Sequence, residues 1–600
     1  MGDPLFRRLA MMNNHSALFR FVLSEDTADV TNDMPQNADA TLPPDVADPD
    51  TPSHRGKSPT RHLWRAGWGA TVTLVLIGMV QSYAPSTDHQ MANFASFAVG
   101  LFGILFVAYQ LHRYLSAQRL PLLVPLVTLA VLLGQPVLYR FDGFSGEMLP
   151  QFQPRFWGAA RLDRAAMENE SDLALLAPSD ITQCLEPSLG FLGNDRTGVI
   201  SERQFAIPTA VDQVETLWDQ GVGEGWSAFA VSGDRAVTLE QRDAKECVTC
   251  YRLGDGKLNW IVEKETRHEN PLGGVGPRST PQIEADRVYA SGATGMLWCI
   301  DLMTGKTIWT VDLLDLAGWD QPTSEQAIPW GRSASPLLVE GLCIVPFGGP
   351  ADAGSELAKA GRTLIALDAE TGDIRWTTGE DQISYASPVL MTLAGEKQVV
   401  SVNESNVGGY RISDGTRLWS FDWPGNSNAD ATCTSAMPAG PNRFVVGKGY
   451  SGGSAIVEIT AQSDEQQSDG QRSADVIWAS NRVLKTKFTH ACLDGETLYA
   501  LSDGSLQAVR SEDGKRLWQQ PRSDRAGQGQ ILLASDTIVM QTEPGEVVFV
   551  EAAPTQYNVL FRLPALSAKT WNLPTLAGRH LLVRNDREVI CFLLPPLERS

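Results

Sequence analysis

Through the last two thirds of the chain, apolar strand-like runs are each followed by a tight polar turn. Leu297-Trp298-Cys299-Ile300-Asp301 and Leu364-Ile365-Ala366-Leu367-Asp368 are two such runs. Five times the glycine of the turn is followed four residues later by tryptophan: Asp255-Gly256…Trp260, Thr304-Gly305…Trp309, Thr371-Gly372…Trp376, Asp414-Gly415…Trp419 and Asp513-Gly514…Trp518. Each unit reads strand, turn, strand, with glycine in the left-handed turn position. The tryptophans stand 49, 67, 43 and, across one degenerate copy, 99 residues apart. That interval fits one four-stranded unit with insertions, and a fixed period fixes the fold class more firmly than any local motif.

A second signal is an earlier hairpin in each unit, a polar turn feeding an alternating strand. It occurs eight times: Gly233-Asp234-Arg235, Ala285-Asp286-Arg287, Glu340-Gly341, Gly395-Glu396-Lys397, Pro441-Asn442-Arg443, Asp494-Gly495-Glu496, Ser535-Asp536 and Gly578-Arg579. Trp478 and Phe561 end the degenerate units. The last hairpin leads into Glu588-Val589-Ile590-Cys591-Phe592-Leu593, a unit without a terminal strand. Val214-Glu215-Thr216-Leu217-Trp218-Asp219 is a strand without a unit. Joining the two predicts an all-β fold, an eight-bladed β-propeller over 191–600, whose closure removes the free sheet edge of an open array. A seven-bladed ring with one stray hairpin is the alternative.

The front third follows a different pattern. Residues 21–50 hold eight Asp or Glu and no Lys or Arg. Such a segment cannot bury enough apolar surface to offset its chain entropy, so residues 1–60 are expected to form a disordered acidic tail. Three apolar runs follow, at roughly 66–83, 93–110 and 119–138, each without internal charge and about long enough to cross a bilayer. They predict a helical membrane region over 61–140 with about three spans, or a single anchor, since the third carries Pro121 and Pro125. Arg55, Lys57, Arg61 and Arg65 flank the first run, Arg113 and Arg119 lie between the second and third, and residues 84–92 hold no Lys or Arg. The positive-inside rule then puts the N-terminus in the cytoplasm of an inner membrane and the propeller in the extracytoplasmic, periplasmic space. The first run begins too far into the chain for a cleavable signal peptide. Residues 141–190 read as a linker with a short helix around 158–176.

A formal charge of −21 excludes nucleic acid, which needs a basic stripe to displace counterions. The 16 tryptophans fit packing between repeated units better than a cofactor cage. Of the eight cysteines, Cys247 and Cys250 form a lone CxxC. On an extended strand they stand about 10 Å apart, too far for a direct bridge. No second CxxC or paired histidines complete a zinc site, so no metal is expected. Buried strand cysteines and a redox pair are the two readings.

The unit Leu-Ile-Ala-Leu-Asp-Ala-Glu-Thr-Gly-Asp-Ile-Arg-Trp (364–376) resembles the tryptophan-docking repeat of quinoprotein-type propellers, which include the pyrroloquinoline quinone (PQQ) alcohol dehydrogenases and the BamB outer-membrane assembly lipoproteins. Phe191-Leu192-Gly193-Asn194-Asp195-Arg196-Thr197-Gly198-Val199 and Gly276-Pro277-Arg278-Ser279-Thr280-Pro281 look closer still to the membrane-anchored PQQ-like repeat proteins of planctomycetes. The resemblance covers about 190–595. It implies that Trp218, Trp260, Trp309, Trp376, Trp419, Trp478 and Trp518 are structural docking residues. It carries the fold and not an activity, because the repeat recurs on catalytic and non-catalytic rings.

The dehydrogenases it resembles place a bridged pair of adjacent cysteines over the cofactor, and Glu, Asn and Asp around calcium. This chain has no adjacent cysteines, and none of the calcium ligands maps onto it by motif. No catalytic residue and no cofactor are therefore expected, PQQ included. Polar residues leading into the innermost strands are the candidates for binding at the channel mouth: Trp226, Arg278, Trp330, Arg332, Tyr385 and His490. They either hold a small anion or sugar or cap strands and bridge blades. Three functions compete: a membrane-anchored propeller that binds a protein or peptide as BamB-like scaffolds do, a PQQ-dependent oxidoreductase, and a small-ligand receptor. The first needs only the large rigid surface that the repeats supply. It makes the membrane and a protein the expected partners.

Overall fold

The computed structural model describes residues 59–83, 89–155, 184–350, 355–428, 430–450, 452–461 and 472–597. The expected tail through residue 58 and the expected helix at 158–176 lie outside the described residues. The apolar runs form helices α1 (Thr60–Tyr83), α2 (His89–Ala117) and α3 (Leu123–Leu138). α1 and α2 are long and apolar enough to cross a membrane; α3 has 16 residues. Leu74, Phe102, Ile104 and Leu132 are among the many large apolar side chains these helices leave exposed, as an apolar solvent would require. α1 and α2 touch each other at small residues. A Cβ on Gly103 would lie 2.2 Å from the Thr73 hydroxyl and one on Gly69 2.5 Å from the Phe106 ring. Gln81 donates to Asn93 Oδ1 at 3.0 Å, closing the end of the pair nearest the ring.

Among the described residues, eight antiparallel sheets form the ring, one per hairpin found in the sequence. Blades one to seven occupy 230–265, 282–312, 337–378, 389–422, 437–480, 492–519 and 530–564. Blade eight takes Thr575–Ala577, His580–Arg584 and Glu588–Leu593 from the end of the chain and Glu215–Gly221 from before blade one. In that closing pair Cys591 stands opposite Trp218 and Ile590 opposite Asp219. The seven-bladed arrangement is thus excluded. Each first hairpin turns through a residue with positive φ, and at Ala285, Glu340, Ala394, Asn442 and Ser535 such a residue is not glycine.

The seams between blades explain the tryptophan period. Trp260, Trp309 and Trp376 donate their indole N–H to the carbonyls of Leu302, Ala369 and Ile412 in the next blade, at 2.9, 3.1 and 3.0 Å. Trp218, Trp478 and Trp518 do the same to Leu253, Ser511 and Ala553, at 2.7, 2.8 and 2.7 Å. Trp419 differs: it donates at 2.6 Å to Gln398 within its own blade. Phe561 takes the corresponding place in blade seven, where Phe549 stands opposite it.

The seam between blades eight and one, where the two ends of the ring meet, carries a buried polar network. Arg584, 1% exposed, donates to the Thr238 hydroxyl at 2.7 Å, Leu239 O at 3.2 Å and Gly223 O at 3.0 Å. Beside it the buried Glu240 accepts from Tyr251, Thr249 and Arg242 at 2.6, 2.8 and 2.9 Å. Burial alone would raise the Glu240 pKa, but the Arg242 and Arg584 charges and these hydrogen bonds lower it.

Candidate functional site

Each inner strand is preceded by a short polar stretch that rings one end of the central channel, the mouth. Most of its hydroxyls bridge blades. The Thr280 N–H donates to Ser335 Oγ at 2.9 Å, Ser335 N–H to Ser387 Oγ at 2.9 Å, and Ser387 N–H to Ser435 Oγ at 3.1 Å. Across the closing seam the Phe229 N–H donates to Thr575 Oγ1 at 3.1 Å. Buried backbone donors need such partners, and this collar supplies them blade to blade.

Four of the six candidate residues come together at the mouth. Trp226 donates to Gly273 O at 2.9 Å, and Arg278 donates to Gly273 O at 2.7 Å and Gly276 O at 2.9 Å. Trp330 packs on Tyr385 with ring centroids 5.0 Å apart, and the Tyr385 hydroxyl donates to Ser427 O at 2.7 Å. Burial pulls the Arg278 guanidinium down to about 10. The other two stand elsewhere. Arg332 lies in the seam between blades two and three, donating to the carbonyls of Phe347 and Pro346. His490 lies inside the channel, its ring edge-on to Phe191 at 5.2 Å.

Sequence reasoning missed three aromatic neighbours and the cations between them. Trp571 packs on Trp226 at 4.8 Å and on Phe488 at 5.4 Å, and Tyr450 stacks on Trp330 at 6.1 Å. The Lys569 ammonium lies 4.4 Å from the Trp571 ring centre, and the Lys487 ammonium lies 5.7 Å from that of Tyr450. Trp571 and Phe488 precede inner strands just as Trp226 does, so their position in the repeat was the available signal.

The channel below the mouth is filled from the opposite end. Cys184–Ser188 adds to the inner strand of blade one, and Val199–Ile200 pairs in parallel with the end of the inner strand of blade seven. Between them Arg196 reaches up the channel. It donates to Pro336 O at 2.7 Å and to Ser335 O and Pro388 O, both at 3.1 Å, so one guanidinium ties strand starts of blades three and four. Burial pulls it down to about 9. Burial first, and the Arg196 charge second, pull His490 down to about 3, so its imidazole is neutral.

Cys247 and Cys250 are buried on one strand, and burial pushes both thiols up to about 12, which leaves them unreactive. Among the described residues no three His, Cys, Asp or Glu are placed to hold a metal ion.

A family model described as outer membrane protein assembly factor BamB matches residues 206–354, 347–486 and 465–557, more than half of the chain. The outer membrane protein assembly factor BamB of Shewanella oneidensis is 23% identical over 298 residues, 49% of this chain and 68% of that protein. The quinohemoprotein alcohol dehydrogenase ADH IIB of Pseudomonas putida is 30% identical over 113 residues, but the match spans 18% of this chain and only 14% of that enzyme. The crystal structure of BamB from Moraxella catarrhalis superposes with a TM-score of 0.43 at 14% identity, covering 64% of this chain and 100% of that one.

Proposed function

The chain belongs to the family of the outer membrane protein assembly factor BamB, and on that premise we propose that it is a membrane-anchored, extracytoplasmic scaffold that binds a protein or peptide. One observation carries this reading beyond the family. The polar tips that would hold a small ligand at the mouth are spent on the ring's own backbone: Trp226 and Arg278 on Gly273, and Tyr385 on Ser427. A ring built this way offers a rigid surface rather than a preformed small-molecule cage. Two apolar helices with exposed side chains support an anchor in the inner membrane. The basic flank before α1 supports a cytoplasmic N-terminus and a periplasmic ring. Two measurements test the reading. A C-terminal alkaline phosphatase fusion should be active, and inactivity overturns the location. Photo-crosslinkers placed at exposed Met303, Ile374 and Ser523 in the full chain should trap one discrete protein in intact membranes. Diffuse or absent products overturn the scaffold.

A further inference from the structure

Between α3 and the ring lies a hairpin, Tyr139–Phe144 and Pro150–Pro154. Residues 142–147, the end of its first strand and the start of its turn, form a strap that lies against the mouth over blades six to eight. Asp142 pairs with Arg587, and Glu147 pairs with Arg525. The side chains of both pairs are less than a fifth exposed, a setting in which ion pairs hold better than in open solvent. Two further contacts grip the main chain: Lys569 donates to Phe144 O at 3.2 Å, and the Gly146 N–H donates to Glu543 at 2.5 Å. Residue 146 must lack a side chain, because a Cβ there would stand 2.2 Å from Gln528 Cγ. In a chain of charge −21, Lys569, Arg525 and Arg587 gather three cations at one spot, beside the ring's own Glu543 and Asp586, and the strap adds Asp142 and Glu147 to their partners.

Main-chain hydrogen bonds flanked by charge pairs give a folded surface both grip and specificity for a short segment of another chain. We propose that this part of the mouth is a recognition site for an acidic hairpin turn, with two acids five residues apart and glycine before the second. Residues 142–147 fill it in cis, and a partner protein carrying such a turn docks by displacing them. The proposal rests on the reading of the ring as a protein-binding scaffold and names the chemistry of its partner.

The test uses the full chain in detergent and a fluorescent synthetic peptide of residues 139–153. The double variant D142N/E147Q should free the strap, raising hydrogen exchange of amides 143–149. It should bind the peptide at least tenfold more tightly than the unaltered chain. Adding R525A and R587A should abolish that gain, and a peptide with Asn and Gln in place of the two acids should not bind. The strap is not a resident of this site if its amides stay protected in D142N/E147Q. The site does not read acidic segments if the strap is freed and the peptide binds no better, or if R525A/R587A leaves binding intact. Should the double variant misfold, the charge swap E147R/R525E serves: it should restore the amide protection that E147R alone removes, and failure to do so overturns the proposal. Peptide exchange as expected, with no protein trapped by the crosslinkers, would mean that the site is real and the scaffold reading is wrong.

Discussion

Trp376 of blade three lies directly over Gly415 of blade four. A Cβ on Gly415 would stand 2.7 Å from the indole, while the indole N–H donates at 3.0 Å to Ile412 O in the same turn. The same arrangement joins Trp218 to Gly256, Trp260 to Gly305, Trp309 to Gly372 and Trp478 to Gly514, with a Cβ clash at 2.6 to 2.9 Å in each. The glycine of the repeat therefore has two duties. It turns the chain at positive φ, +72 at Gly415, and it leaves a flat floor for the preceding blade's tryptophan.

Gly415→Ala should accordingly destabilise the ring by about 2–4 kcal/mol, combining left-handed backbone cost with overpacking. Trp376→Ala should cost about 3–5 kcal/mol through the cavity and the lost bond. In the double variant the losses should not add, since each removes the same contact. Denaturant unfolding of the three variants checks this. A loss below about 1 kcal/mol for Trp376→Ala would place that side chain on the surface.

Arg584→Met should weaken the closing seam. It leaves Gly223 O and Leu239 O without their donor and the buried Glu240 with Arg242 as its one remaining nearby positive charge. We expect a loss of about 2–4 kcal/mol and, in hydrogen exchange, faster opening of Glu215–Gly221 and Glu588–Leu593 than of the other blades. Uniform exchange across all eight blades would show that closure does not depend on this seam.

Acid should weaken the ring through His490. Its folded value of about 3 lies below its ordinary 6.5. Above about pH 6.5 neither state binds the proton. Below that, the unfolded chain binds one that the folded ring refuses, so stability falls with pH down to about 3, by roughly 1 kcal/mol per unit for this one group. His490→Gln should flatten the fall of Tm between pH 6.5 and 4. An unchanged slope would show that another group governs acid sensitivity.

The full chain should not bind PQQ tightly. A quinone with three carboxylates needs cations, a stacking surface and a metal to polarise its carbonyl. The mouth has cations and aromatic rings, but Arg278 is committed to Gly273 and Gly276. Calorimetric titration of PQQ with calcium should show no saturable site below about 10 μM, equivalent to about −7 kcal/mol. Tighter, calcium-dependent binding that is lost on Arg278→Ala would promote an oxidoreductase.

The ring was legible because its information is local and repeated. Thr371-Gly372…Trp376 carries turn, floor and docking ring in six residues, and Glu215–Gly221 was conspicuous as a strand with no unit to belong to. The mouth was legible only in part, because position in the repeat does not fix where a side chain turns. Arg278 and Arg332 precede inner strands alike, yet one folds over its own loop and the other runs into a seam. Lys569 and Phe144 were beyond reach, since their contact joins residues 425 apart that share no pattern.

The placement of Glu215–Gly221 also sets an order of events in biogenesis. Its partner Glu588–Leu593 is separated from it by the 366 residues from 222 to 587. At 5–20 residues per second the ribosome needs about 20 to 70 s to make that stretch. Throughout this time the early strand waits with an unpaired edge, a template for pairing with the wrong chain. Blades one to seven can form in turn as they emerge, but the last joint is made only when the tail of the chain returns to a strand near its head. A nascent chain arrested before residue 588 should therefore be held by holdase chaperones, and release should coincide with synthesis of the final strand.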